Sequence, residues 1–388
     1  MSILTPKEAA LLANKVYDVK NEEDWKAITS NPKLPISTQT AFAGFYQNPT
    51  RGVGESGWGQ KSGFAYMANG TGNRHGESLV AIRGTSSLAD ALTDARMSFA
   101  HSPSGHVVHR GFSLAYQSIK PSINSYFKQP NNNPSQIHVV GHSLGGAIAC
   151  LVAEQLSLQG HNVSLYTFGC PRVGDNFYSK TLDQLLGGAS NIYRVYHEAD
   201  PVSMIPIYPF VPVSNSAIGH QLPWNGSTVS VYAHLMNNYI SSVIDCSWNS
   251  LPKAQNSDFF QSMDVWLEQV GNSGGNIKMF SCSSLRLILK ALQWVLSSIK
   301  SVSSAIAQFT LSGGAIVVDV LAYLLYQGCL LTAEIAGYVK SILKSILKFM
   351  GRTIDATANV TVSFIQFVLD MFFRVISTAA SQALYLLP

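Results

Sequence analysis

A glycine-rich run at residues 141–146, Gly-His-Ser-Leu-Gly-Gly, constrains the fold of this chain more than any other feature. A short apolar segment at 137–140 precedes the run, and small and apolar residues at 147–158 follow it. This order predicts a buried strand, a tight turn and a helix. The glycines on either side of Ser143 have no side chain to clash in such a turn, so its hydroxyl would stand at the carboxyl end of the strand. The pattern indicates a serine nucleophile.

Strands and helices alternate along the first 270 residues. Predicted strands at 62–67, 77–83, 137–140, 163–168, 192–197 and 228–232 alternate with predicted helices at 111–128, 147–158 and 176–186. This alternation predicts an α/β fold with a mostly parallel sheet flanked by helices. The glycine-rich stretch at 52–59 is interpreted as a loop.

A serine nucleophile needs a base and an acid that orients the base, and in this architecture the chain order is serine, acid, histidine. Asp200 is the leading candidate for the acid. It follows the predicted strand at 192–197 and would lie at the sheet edge that presents Ser143. Asp175 is the runner-up and Glu198 the third choice.

His234 is the leading candidate for the base. It precedes an apolar, helix-like run at 235–240, which is the loop position that a base needs. His220 lies in a proline-rich loop and is interpreted as a rim residue. His197 would point from the strand itself and is interpreted as structural.

The last third of the chain has a different composition. Residues 277–388 contain 9 Lys and Arg against 4 Asp and Glu, although charged residues make up only 12% of the whole chain, about half of what soluble domains carry. The glycine- and asparagine-rich run at 271–276 predicts a linker. We therefore expect a catalytic domain at 1–270 and an all-α, hydrophobic C-terminal module at 277–388.

The C-terminal module has three interpretations. Apolar residues spaced by three and four at 285–309 predict one continuous helix. The apolar segment at 315–333 has the length of a membrane span. Residues 335–350 predict a basic amphipathic helix, and residues 360–376 are again strongly apolar. The module either engages membranes, which we prefer, packs as a soluble helical bundle on the catalytic domain, or binds a chaperone or inhibitor protein.

Several ordered motifs resemble the class 3 lipases, the family of the fungal triacylglycerol lipases, over roughly residues 60–245. The matching segments are Ala81–Thr85, Val108–Phe112, Gly141–Gly146, Thr167–Asp175, Asp200–Val202 and His234–Tyr239. The resemblance implies an α/β-hydrolase fold and the catalytic triad Ser143, Asp200 and His234. It assigns Asp175 to a structural turn.

The same resemblance implies how the oxyanion is held. The backbone N–H of Leu144, which follows the nucleophile, and Thr85, which follows an Arg-Gly pair, would form the oxyanion hole. The region at 86–105 would carry a lid. His109 and Arg83 are interpreted as supports of the site.

We therefore expect a carboxylic ester hydrolase of the lipase or phospholipase A type that acts on glycerolipids or phospholipids through an acyl-enzyme, without a cofactor or metal. Five widely spaced cysteines with no CxxC pair indicate neither a disulfide framework nor a zinc site. The expected partners are the lipid substrate, a membrane surface, and a chaperone or inhibitor on the tail, with no nucleic acid. The alternative is a membrane-perturbing or pore-forming protein in which the helical tail carries the activity.

The first 19 residues predict an amphipathic helix and not a secretory signal peptide. We expect a protein that is synthesised in the cytoplasm and that either acts at a membrane or is exported by a dedicated route.

Overall fold

A computed structural model describes residues 3–29, 42–55, 61–84, 99–130, 132–213, 219–253, 263–273, 277–299, 317–353 and 360–387. The strands within these ranges are β1 (Phe45–Glu55), β2 (Lys61–Gly70), β3 (Glu77–Ile82), β4 (Phe99–His101), β5 (Val107–His109), β6 (Gln136–His142), β7 (Val163–Phe168), β8 (Ile192–His197) and β9 (His220–Leu222).

Helices connect the strands and continue beyond them. They are α1 (Pro6–Lys15), α2 (Glu22–Thr29), α3 (Arg110–Phe127), α4 (Leu144–Leu158), α5 (Asn176–Leu185), α6 (Met236–Val243), α7 (Met263–Ser273), α8 (Cys282–Ser298), α9 (Val317–Leu331), α10 (Ala333–Phe349) and α11 (Val362–Tyr385). Short 3₁₀ helices lie at Val16–Val19, Gly72–Arg74, Gly188–Ser190, Val202–Met204 and Val231–His234.

Seven of the strands form one sheet in the order β1-β2-β3-β6-β7-β8-β9. The pairs from β3 to β9 are parallel, and β1 and β2 are antiparallel at one edge. Every residue of β3, β6, β7 and β8 is buried, as parallel strands covered on both faces require. The predicted α/β fold with a mostly parallel sheet is confirmed.

The sheet's parallel register sets the position of the candidate site. Parallel strands all present their carboxyl ends at the same edge, so the loops after β6 and β8 emerge at one edge, on either side of the loop after β7. Ser143 directly follows β6, and Asp200 lies three residues after β8. The connection after β9 returns to this edge through the 3₁₀ helix Val231–His234.

The C-terminal helices pack on one another and on the α/β part. Helix α10 contacts α7, α8, α9 and α11, and its side chains are largely buried despite the lysines along it. Apolar side chains of α8 to α11 belong to the same continuous core cluster as those of the sheet. An all-α C-terminal region is thus confirmed, whereas the division into two domains near residue 270 stays a prediction.

Five predictions about secondary structure are wrong. Gly52 and Gly54 lie in β1 and not in a loop; a Cβ at Gly52 would lie 2.8 Å from the Cβ of Ala65, so glycine there permits close pairing with β2. Residues 228–232 form no strand, because only Thr228 makes an isolated bridge before the 3₁₀ helix begins. His220 starts the buried strand β9 and is not a rim residue.

The other two corrections concern the tail. Gly271, Asn272 and Ser273 form the last turn of α7 and not a linker, while residues 274–276 of the predicted linker lie outside the described residues. The predicted continuous helix at 285–309 ends as α8 at Ser298, and residues 300–316 lie outside the described residues.

Among the described helices, α11 is long and apolar enough to cross a membrane by length and composition, with 24 residues and a mean hydropathy of 1.5 over its best window. In the structure, 39% of that window is buried. A core helix of a soluble protein passes the same test, so length and composition alone do not assign α11 to a membrane. Helix α9, predicted as a candidate span, has 15 described residues, and residues 315 and 316 of that span lie outside the described ranges.

Candidate active site

Ser143 occupies the sharp turn between β6 and α4. Its backbone has φ 58° and ψ −132°, a strained conformation for a residue with a side chain. The Ser143 N–H donates to the Phe168 carbonyl at 2.9 Å, and the Ser143 carbonyl accepts from the Gly146 N–H at 2.9 Å. These two hydrogen bonds hold the serine in the turn that the sequence predicts.

The glycines around the serine are required by close backbone approaches. A Cβ at Gly141 would lie 2.3 Å from the Gly145 carbonyl oxygen, and a Cβ at Gly145 would lie 2.3 Å from the Ile82 carbonyl oxygen. No side chain fits at such distances, so both positions need glycine for the helix to start directly against β3.

The structure brings Ser143, His234 and Asp200 into one hydrogen-bonded chain. The Nε2 of His234 lies 2.7 Å from the Oγ of Ser143, and its Nδ1 lies 2.9 Å from the Oδ2 of Asp200. All three side chains are fully buried. A neutral His234 with its proton on Nδ1 would donate to Asp200 and accept from the serine hydroxyl, which is the arrangement that activates a serine.

Asp200 is held as an ionised carboxylate by several donors. Burial alone would raise its pKa, but the adjacent His234, the Tyr239 hydroxyl at 2.6 Å and the Val202 N–H at 2.9 Å more than offset this, so the pKa of Asp200 lies below its ordinary value. Burial and the neighbouring carboxylate raise the pKa of Tyr239, which therefore remains a neutral donor. Tyr239 is a donor that was not predicted from the sequence, although it closes the matching segment that starts at His234.

His142 supports the base from behind. Its Nε2 lies 2.8 Å from the carbonyl oxygen of His234, its Nδ1 lies 2.8 Å from the Tyr17 hydroxyl, and its ring stacks on that of His234 with centroids 4.8 Å apart. Burial, reinforced by the neighbouring His234, lowers the pKa of His142 to about 3. A neutral His142 donates from Nε2 to the carbonyl and accepts at Nδ1 from Tyr17.

His142 makes folding sensitive to acid. Unfolded histidine binds its proton near pH ~6.5, whereas folded His142 stays neutral until about pH 3. Between these values unfolding takes up a proton, so the free energy of unfolding falls by up to about 1.4 kcal/mol per pH unit as the pH decreases.

His142→Gln can keep both hydrogen bonds but has no titrating side chain. We expect the free energy of unfolding of this variant to depend less steeply on pH, by up to one fewer proton taken up on unfolding. Urea unfolding of both proteins from pH 7 to pH 4 measures it. Equal slopes in the two proteins would show that His142 does not bind a proton on unfolding. Other titrating groups act on both proteins alike and cancel in the difference.

The other acids that the sequence offered lie outside the chain of hydrogen bonds. Asp175 caps helix α5, its carboxylate accepting from the Tyr178 N–H at 2.8 Å, as the resemblance implies. Glu198 accepts from the Trp224 N–H at 3.4 Å. His197 contacts the Ala233 carbonyl at 2.7 Å through Nδ1, which makes it a structural link between the loops that carry the acid and the base.

The predicted supports are buried and locally bonded. Arg83 donates to the carbonyls of Gly63 at 2.9 Å and Gly84 at 3.1 Å. His109 caps α3, its ring nitrogen accepting from the Gly111 N–H at 3.2 Å. Both side chains therefore fix backbone near the site and lie outside the chain of hydrogen bonds to Ser143.

The oxyanion hole is described in part. Leu144 is the first residue of α4, where N–H groups have no acceptor within the helix and point out of its positive end. Thr85 and most of the predicted lid, up to residue 98, lie outside the described residues. Gly84, the residue before Thr85, lies against the nucleophile, since a Cβ there would be 3.2 Å from the Cβ of Ser143.

No group of three or more His, Cys, Asp or Glu side chains with the geometry of a metal site occurs within the described ranges. The five cysteines are free thiols, three of them buried.

The family model described as "Lipase (class 3)" matches residues 79–210. These residues, called the class 3 lipase segment below, make up about a third of the chain and are similar to that family. The class 3 lipase segment contains Ser143 and Asp200, while His234 follows it.

Two curated relatives and one solved structure illustrate the similarity. The chain is 35% identical over 155 residues to the secreted mono- and diacylglycerol lipase 1 of Fusarium solani, covering 38% of this chain and 44% of that protein. It is 34% identical over 115 residues to phospholipase A1-II 4 of Oryza sativa subsp. japonica, covering 28% and 27%. The triacylglyceride lipase of Rhizomucor miehei aligns at 24% identity over 56% of this chain and 78% of that chain, with a TM-score of 0.41. The matches thus span less than half the length of the two curated relatives.

Proposed function

We propose that this protein is a serine esterase that hydrolyses acyl esters of glycerolipids or phospholipids. The observation that carries the proposal is the buried chain of hydrogen bonds from Ser143 through His234 to Asp200, built on a strained turn at the start of a helix. A serine in this setting has a base within 2.7 Å and an acid that orients the base, which is what acyl transfer requires.

The proposed reaction has two halves. The Nε2 of His234 takes the proton from the Ser143 hydroxyl while Oγ attacks the acyl carbonyl, and Asp200 stabilises the resulting imidazolium. The Leu144 N–H, joined in the proposal by Thr85, holds the negative oxygen of the tetrahedral intermediate. The imidazolium then protonates the departing alcohol, which leaves an acyl-enzyme, and a water activated by His234 releases the fatty acid.

Lipid is the substrate class that the comparisons favour. One relative is named a mono- and diacylglycerol lipase and another a phospholipase A1, and the chain's low content of charged residues suits work at an apolar surface. Ser143 is fully buried in the described conformation, so an ester reaches it only after covering residues move. We propose that this opening takes place at the membrane that holds the lipid.

Product analysis on mixed-lipid vesicles tests the proposal. Vesicles of phosphatidylcholine, phosphatidylglycerol and diacylglycerol are incubated with the wild type and with Ser143→Ala, and the products are identified by mass spectrometry. We expect free fatty acid together with a lysophospholipid or a monoacylglycerol from the wild type alone, and the accompanying product identifies the ester that is cut.

Leakage of a trapped dye from the same vesicles separates this proposal from a pore-forming tail. Leakage that depends on Ser143 and follows fatty-acid release supports the esterase. Equal leakage by both proteins with no fatty acid released would contradict it and favour the membrane-perturbing alternative.

A further inference from the structure

A side chain from the C-terminal helices reaches the loop that carries Asp200. This acid loop comprises residues 198–203. Arg286, on the second turn of α8, donates from Nε to the Glu198 carbonyl at 2.7 Å and from Nη2 to the His197 carbonyl at 3.0 Å. Its Nη2 also lies 3.0 Å from the hydroxyl of Ser203. One guanidinium therefore binds both ends of the acid loop.

The contacts of Arg286 continue to Asp200 itself. The Ser203 hydroxyl, which accepts from Arg286, donates to the Asp200 carbonyl at 2.8 Å. The Asp200 N–H in turn donates to the His197 carbonyl at 3.2 Å, the same oxygen that accepts from Arg286. The N–H and the carbonyl of Asp200 are thus each hydrogen-bonded to an atom that also accepts from Arg286.

The guanidinium is itself fixed in place. It lies over the ring of Tyr196 with its Cζ 4.8 Å from the ring centroid, and Arg194 lies 4.1 Å from the same centroid. A guanidinium stacked on an aromatic ring is already ordered, so its N–H groups lose little further conformational freedom when they donate hydrogen bonds. Arg286 therefore holds the acid loop from a fixed position.

The start of α8 also binds the segment that leads to His234. The Cys282 N–H donates to the Ser227 carbonyl at 2.8 Å, and the Val229 N–H donates to the Phe280 carbonyl at 3.2 Å. The Ser230 N–H donates to the Ala199 carbonyl at 3.0 Å, which joins this segment to the acid loop. Residues 280–286 thus bind both the acid loop and the segment at 227–230 that leads to His234.

We propose that Arg286 is a positioning residue of the active site, which makes helix α8 a working part of the esterase although it lies outside the class 3 lipase segment. The inference rests on the proposed function. Asp200 orients His234 only while its carboxylate stays within hydrogen-bonding distance of Nδ1, and a displacement of about 1 Å can cost on the order of 100-fold in rate.

The test uses full-length Arg286→Ala and Arg286→Lys with a soluble short-chain ester and with an alkyl fluorophosphonate that labels an activated serine. We expect Arg286→Ala to lower kcat and the labelling rate about 10- to 100-fold, with KM close to wild type because the donors of Arg286 bind the acid loop. Arg286→Lys keeps the charge but not the fork of donors and should recover only part of kcat. Added methylguanidinium should raise the activity of Arg286→Ala and leave the wild type unchanged.

Val295→Ala is the matched control for stability. Val295 is buried on the same helix, more than two turns beyond Arg286, and its truncation removes packing without touching the acid loop. We expect Val295→Ala to lower the melting temperature and to keep wild-type kcat per folded molecule. If Arg286→Ala does not fold, Ser203→Ala serves instead; it removes the hydroxyl between Arg286 and Asp200 and should lower kcat by a smaller factor.

The outcomes separate the two proposals. Wild-type kcat and labelling in the folded Arg286 and Ser203 variants would overturn the positioning role while leaving the esterase intact. A wild-type protein that neither hydrolyses esters nor reacts with the fluorophosphonate would instead contradict the proposed function.

Discussion

Replacing Ser143 with alanine is expected to lower kcat for ester hydrolysis by on the order of 10⁶-fold while the protein stays folded. The acyl-enzyme forms on the Oγ of Ser143, which lies 2.7 Å from the Nε2 of His234, and alanine has no side-chain atom that could carry the acyl group. Folding is preserved because the turn is held by backbone hydrogen bonds of Ser143 that alanine keeps.

The measurement combines turnover with chemical identification of the nucleophile. The wild type should gain the mass of one fluorophosphonate adduct, located on the peptide that contains Ser143, and Ser143→Ala should gain none. Ser164→Ala, which changes a buried serine of β7, is the matched control and should keep both turnover and labelling. Residual turnover or labelling in Ser143→Ala near the wild-type level would show that another group is the nucleophile.

The parts of this site that follow from local geometry could be predicted from the sequence. A strand, a turn with glycines at fixed offsets and a helix place Ser143 whatever the rest of the chain does. The carboxyl ends of parallel strands share one edge, which puts Asp200 after β8 and Ser143 after β6 on the same side of the sheet, where His234 bridges them. The sequence order of Ser143, Asp200 and His234 therefore contains enough information to assemble their side chains.

The supports of the site could not be predicted in this way. Tyr239, His142 and Arg286 act through contacts between segments that are far apart in the chain; Arg286 lies 88 residues from the carbonyl that it binds most closely. Helical periodicity identified α8 as a helix with an apolar seam, but it does not say which loop a polar residue on that helix will face. Such pairings depend on how whole elements pack.

Two glycines were predicted to lie in a loop and a linker but lie in a strand and a helix, for the same physical reason. Gly52 lies in a strand because its missing side chain admits the Cβ of Ala65, and Gly271 lies in a helix beside the hydroxyl of Ser341, which a Cβ would approach to 2.9 Å. Both glycines make room for a neighbour. From sequence alone a glycine that makes room cannot be distinguished from a glycine that ends an element.

Replacing Asp200 with asparagine is expected to lower kcat by roughly 10³- to 10⁴-fold with little change in fold. The oxygens of Asp200 face three donors: Val202 N–H on Oδ1, and the Tyr239 hydroxyl and His234 Nδ1 on Oδ2. An asparagine keeps the Val202 bond only by placing its NH₂ group at the Oδ2 position. There it donates to His234 Nδ1 and forces the proton onto Nε2, where the ring can no longer accept from Ser143.

Two variants calibrate that loss in kcat. Tyr239→Phe removes one donor from the same oxygen but leaves the carboxylate and the tautomer of His234, so we expect a decrease of roughly tenfold or less. Asp175→Asn changes the runner-up acid, whose cap on α5 asparagine can replace, and should leave kcat unchanged. Steady-state kinetics on a soluble ester measures all three. If Asp200→Asn stayed within tenfold of wild type, Asp200 would not be the residue that orients His234, and the lowered pKa that its donors produce would serve the stability of the loop instead of the reaction.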